Sequence, residues 1–136
     1  MGRILAIDYG KVRTGLAVTD PLKIIATALE TVSSGDLLAY LKEYVLREPV
    51  EAFVLGLPLS LRSEDTPTTE MVRAFGEALQ ATFPAIPLHY VDERFTSKMA
   101  LDSMIAAGTR KKDRRIKGNT DKVSAVIILQ SFMQSL

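Results

Sequence analysis

An α/β domain, built on a mixed five-stranded sheet with helices on both faces, is the fold class this sequence predicts. Two apolar runs, residues 3–8 and 14–19, flank a glycine-containing turn and lead into a third extended stretch, the pattern of antiparallel strands. The rest of the chain alternates apolar runs with helical periodicity, as strands do when they return parallel through right-handed crossovers. At 136 residues and 47% apolar, the chain has the length and the core material of one domain, expected to span residues 1–136. The predicted order is β-β-β-α-β-α-β-α-α, with the first strand central and beside the strand ending at Leu57.

Each element has a local cause. Residues 3–8 deliver Asp8 to a turn carrying Gly10, Lys11, Arg13 and Gly15, and residues 14–19 lead away from it. An Asp20-Pro21 turn introduces a third strand over 23–32. Ser34-Gly35-Asp36 reads as a helix start, and Leu37, Leu38, Leu41, Tyr44 and Val45 recur at helical spacing until Pro49. Residues 52–58 are apolar without alternation, as in a strand covered on both faces. A polar loop over 59–66 precedes Thr66-Pro67, a helix entry with proline in the first turn, and Val72, Phe75, Ala78 and Leu79 form the core stripe of that helix. Residues 88–91 make the fifth strand and run into Asp92-Glu93-Arg94. Thr96 or Ser97 caps a third helix through Ala107, stopped by Gly108, and Asn119 or Thr120 caps a last one from Asp121 to about Gln134.

Composition removes several classes of function. The chain has no cysteine, which excludes disulfides, zinc–thiolate sites and thiol nucleophiles together. No secretory pattern opens the sequence, and no apolar run approaches the ~18 residues of a membrane span, so a cytoplasmic protein without a membrane partner is expected. The net charge of +1 hides an asymmetry: residues 109–120 carry six basic side chains against Asp113, a local +5 that leaves −4 elsewhere. A basic segment on an acidic domain points to a polyanion partner, with a solvated loop as the plainer reading.

The acids give the chemistry. If the strands ending near Asp8 and Glu93 run parallel, both carboxylates emerge at one edge of the sheet, roughly 10 Å apart with one strand between them. Asp121 shares a helical stripe with Ala125, Ile128 and Phe132, so it is turned toward the sheet as they are. Three converging acids repel one another unless a cation lies between them. An oxygen-only donor set favours Mg²⁺ or Mn²⁺ over zinc, and such pairs of ions serve in-line phosphoryl displacement. Lys11, Arg13, Arg94 and Thr96 are placed to hold a phosphate backbone, and Arg110, Lys111, Lys112, Arg114, Arg115 and Lys117 to grip nucleic acid farther out. His89 lies inside a strand and is assigned no role. Strand alternation lets only one of Asp92 and Glu93 reach the metal.

Asp8-Tyr9-Gly10 with Lys11, Arg13 and Gly15, then Gly56-Leu57-Pro58-Leu59, Asp92-Glu93-Arg94-Phe95-Thr96, and Asp121 ahead of Ser124-Ala125 together resemble the motifs of the YqgF (RuvX) family. The resemblance covers nearly the whole chain. It implies an RNase H-like fold, an acidic triad at Asp8, Glu93 and Asp121, and dependence on Mg²⁺ or Mn²⁺. It also implies a nuclease processing the 5′ end of precursor 16S rRNA, or a Holliday junction resolvase acting on branched DNA. The sequence departs from the family pattern at Ser60–Pro67, where glycines are usual, and at Asp113, which interrupts the basic loop. Two other classes stand beside this reading: a nucleotide-binding module, since Asp-x-Gly before a glycine turn also resembles the phosphate loop of actin-like ATPases, and a non-catalytic RNA-binding factor. Val126 and Ile127 widen the apolar face of the last helix, which allows a monomer that buries them or a homodimer.

Overall fold

Arg3–Asp8 (β1) and Arg13–Thr19 (β2) pair antiparallel with Asp8 opposite Gly15, and β2 pairs in turn with Ala26–Ser33 (β3). Val50–Leu57 (β4) and Leu88–Asp92 (β5) join in parallel on the other side of β1, giving one sheet of order β3-β2-β1-β4-β5. This computed structural model describes residues 2–58, 66–92 and 117–134, and the side chains of 117–122 lie outside that set. Its helices are Leu37–Arg47 (α1), Pro67–Thr82 (α2) and Lys117–Gln134 (α3). The helix expected over 96–107 lies outside the described residues.

Strand alternation divides the core in two. Leu5, Ile7, Leu16 and Leu55 pack with Leu37 and Leu41 of α1 and Val72, Phe75 and Leu79 of α2. Ile4, Ala6, Ala17 and Val54 point the other way, onto Ala125, Ile128 and Leu129 of α3. The sheet is therefore covered on both faces, and β1 and β4 are buried through their middles. Small residues at Ala6 and Ala17 let α3 lie close. Ile127 is also buried and Val126 packs partly against this second core, so the widened face of α3 is used within the chain.

Two boundaries and one core stripe depart from the sequence reading, each for a local reason. β3 begins at Ala26 rather than residue 23, because the Asp20 carboxylate accepts the Ile24 and Ile25 amides at 2.7 and 2.8 Å and Lys23 takes a left-handed φ of 59°. α3 begins at Lys117 rather than Asp121. Glycine at 118 costs a helix only about 1 kcal/mol, little against the docking of α3 on the sheet. In α2 the buried stripe is Val72, Phe75, Gly76 and Leu79, whereas Ala78 is exposed because it falls off the 100° progression of that face.

Candidate nucleic-acid and metal site

Because β1, β4 and β5 are parallel, their C-terminal ends share one edge of the sheet. The register makes this concrete: Ile7 is level with Leu55 and Leu55 with Tyr90, and the next positions pair Gly56 with Val91 and Leu57 with Asp92. Asp8, half-buried, is the last residue of β1. Its neighbours Ile7 and Tyr9 face α2, where the Tyr9 ring stacks on Phe75 at 4.4 Å and 15°. Alternation therefore sets Asp8 on the α3 side, with Ile4 and Ala6.

β5 alternates in the same way. His89 lies against Phe132 of α3, with ring centroids 5.0 Å apart, and Val91 joins the α3 core, while Leu88 packs toward α1 and α2. Asp92 has the parity of Leu88 and so falls on the face away from Asp8. Between Asp8 and β5, Gly56 has the parity of Val54 and puts no side chain on the α3 face. On α3 itself, Asp121 occupies the fifth helical position, four residues before Ala125 and seven before Ile128, both fully buried against the sheet. Glu93, Arg94, Thr96 and the basic residues Arg110, Lys111, Lys112, Arg114 and Arg115 lie outside the described residues. Lys117 is the first residue of α3 rather than part of a loop.

The turn between β1 and β2 carries Lys11 and Arg13, both exposed. Lys11 and Gly10 line one wall of a cleft of about 440 Å³ whose other wall is Pro67, Thr68 and Met71 at the start of α2. That start is tightly built. Thr66 and Thr69 form a reciprocal capping box, with Thr69 N–H donating to Thr66 Oγ1 at 3.2 Å and Thr66 N–H to Thr69 Oγ1 at 2.9 Å. The Thr69 hydroxyl in turn donates to the Pro58 carbonyl just past β4. The turn is held from behind by Ser34, which the sequence suggests only as a helix start. No side-chain cap is made at the entry to α1, and the Ser34 hydroxyl reaches Gly10 instead. Nothing in the sequence marks that contact, because it spans 24 residues.

Among the described residues no group of three acidic or histidine side chains gathers, and no helix is long and apolar enough to cross a membrane. The oxygen donor of Asp8 at a strand end suits a hard divalent cation and not a soft one.

Residues 2–135 match the RuvX family, described as Holliday junction resolvase. A protein of Porphyromonas gingivalis named "Putative pre-16S rRNA nuclease" is 56% identical over 99% of this chain and 98% of its own length. One of the same name from Amoebophilus asiaticus is 53% identical over 99% and 96%. Among solved structures, Thermus thermophilus RuvC in complex with a Holliday junction substrate aligns over 98% of this chain and 96% of its own, with TM-score 0.58 and 21% identity. The fowlpox virus resolvase bound to Holliday junction DNA aligns over 98% and 97%, with TM-score 0.62 and 12% identity. These two likenesses show the fold, which is RNase H-like. With its whole length but the terminal residues matched, and relatives more than half identical to it, the chain belongs to the RuvX family of nucleases.

Proposed function

We propose that this protein is a metal-dependent nuclease that processes the 5′ end of precursor 16S rRNA in the cytoplasm, with Asp8, Glu93 and Asp121 holding Mg²⁺ or Mn²⁺. The observation that carries the reading is the shared edge: three parallel strands end together, and Asp8 is turned to the α3 side there. Asp92 has the parity of Leu88 and falls on the face away from Asp8, which favours Glu93 over Asp92 as the second acid. Gly56 puts no side chain of its own at the intervening position on β4. Bound divalent ions supply an activated water and offset charge on the leaving oxygen of a phosphodiester. The chain's own part is to hold the ions through its carboxylates and to fix the scissile phosphate with Lys11 and Arg13, while Arg94, Thr96 and the basic residues from Arg110 to Lys117 grip the flanking nucleic acid.

Names of the relatives favour the ribosomal RNA precursor, and the family description favours branched DNA as the second reading. Side-by-side digestion of a precursor 16S rRNA and a four-way DNA junction, with Mg²⁺, Mn²⁺ or chelator, separates them. Cutting of the RNA alone supports the first, cutting of the junction alone the second. Cutting that persists in excess chelator removes the metal from the account.

A further inference from the structure

We propose that Thr14 and Ser34 are positioning residues: their hydroxyls close a one-way ring of hydrogen bonds on Gly10, which fixes the turn presenting Lys11 and Arg13 to a phosphate. The direction of each bond follows from counting protons. Ser34 Oγ lies 2.5 Å from the Gly10 carbonyl, which can only accept, so the single Ser34 hydroxyl proton goes there. Ser34 Oγ and Thr14 Oγ1 are 2.8 Å apart, and with the serine proton committed the threonine must donate. Thr14 Oγ1 then accepts from the Gly10 amide, 3.5 Å away. The circuit leaves Gly10 through its N–H, passes through both hydroxyls and returns to Gly10 through its carbonyl. Each hydroxyl donates once and accepts once, an arrangement in which neighbouring bonds strengthen one another.

A separate bond ties down the crown of the turn: the Ser34 amide donates to the Val12 carbonyl at 2.9 Å. Thr14 is fully buried, so a β-strand residue pointing into the molecule has its polar group committed to the turn two residues after Asp8. The packing at Gly10 leaves no slack, because a Cβ there would run into the Arg13 carbonyl. Val12 itself is exposed, so no apolar contact of its side chain holds the crown. The hydroxyl ring and the Ser34 amide do that. A turn fixed in advance holds the backbone that carries its two cations and loses less entropy when a phosphate docks.

The phosphate role rests on the function proposed above; the ring itself does not. In the full-length protein, Thr14→Val and Ser34→Ala are expected to speed amide exchange in the segment 9–13, read by mass spectrometry. Each should weaken binding by about fivefold, the worth of one lost hydrogen bond, measured in chelator with a precursor 16S rRNA 5′ fragment and with a four-way DNA junction. In turnover the loss should appear in KM with kcat within twofold, and Thr14→Ser should restore both readouts. On a Lys11→Ala, Arg13→Ala background, Ser34→Ala should cost nothing further. Wild-type exchange in both variants overturns the ring, and an undiminished loss on the Lys11→Ala, Arg13→Ala background overturns its role. A wild-type protein that binds neither probe overturns the nuclease reading and the phosphate role with it, while the exchange data still decide the ring.

Discussion

Thr69 offers a clean separation of hydrogen bonding from packing. It is fully buried, donates to the Pro58 carbonyl, accepts the Thr66 amide and is approached by the Thr66 hydroxyl at 3.0 Å. Thr69→Val exchanges the hydroxyl for a methyl of nearly the same volume, so the core around α2 keeps its shape. What is lost is the bond from the Thr66 amide, one half of the capping box, and the link from the helix to the end of β4, while the Thr69 N–H keeps its bond to Thr66 Oγ1. A stranded amide and a stranded carbonyl cost about 1–2 kcal/mol each, so the variant should lose roughly 2–4 kcal/mol. For a domain of this size that corresponds to a Tm lower by about 6–15 °C. Urea unfolding followed by far-ultraviolet circular dichroism gives the same quantity as a shift in midpoint at constant slope. Thr69→Ser keeps the hydroxyl and drops only the methyl, and should cost about 1 kcal/mol or less. If the valine variant unfolds with the wild type, or the serine variant falls as far as the valine, the bonds of Thr69 do not hold the start of α2.

Other expectations follow from single features. Asp8→Asn should abolish metal-dependent cleavage while unfolding within about 1 kcal/mol of the wild type, because Asp8 is only half-buried; turnover at the wild-type rate would remove it from the site. Gly10→Ala should destabilise by about 1–3 kcal/mol, since its Cβ meets the backbone carbonyl of Arg13, which cannot yield without opening the turn; an unchanged urea midpoint would contradict this. The Ile25 amide, helped by that of Ile24, holds the exposed Asp20 carboxyl below its ordinary 3.8. Its contribution is therefore complete above that value and fades as the pH falls through the lower folded one. Asp20→Ala should flatten the acid limb of the stability profile, and an identical limb in both proteins would refute the assignment. Neutralising Arg110, Lys111, Lys112, Arg114 and Arg115 should reduce the salt dependence of nucleic-acid binding, and an unaltered slope would take that segment out of the contact surface.

The sheet was legible because its signals are local. The unbroken apolar run ending at Leu57 announced a strand buried on both faces, and the alternation of strands and helices placed it beside β1, where it lies. Ala125, Ile128 and Phe132 likewise declared the face of α3. What escaped the sequence depends on contacts made at a distance. The Asp20 carboxylate consumes two amides that would otherwise have continued β3, and a Ser34 that looks like a helix start spends its hydroxyl 24 residues away. The beginning of α3 was misjudged because capping residues mark where a helix can start, not where docking on a sheet makes it start. At the candidate site, the position of Asp8 at the end of the first strand was readable from the apolar run before it. Glu93 and the side chain of Asp121 lie outside the described residues.

The arrangement of α3 also bears on how the chain leaves the ribosome. Ile4, Ala6, Ala17 and Val54 all precede residue 60, yet the helix that covers them occupies residues 117–134. A nascent chain must therefore carry a bare oily surface until α3 emerges, a stretch in which chaperones or premature clumping compete for it.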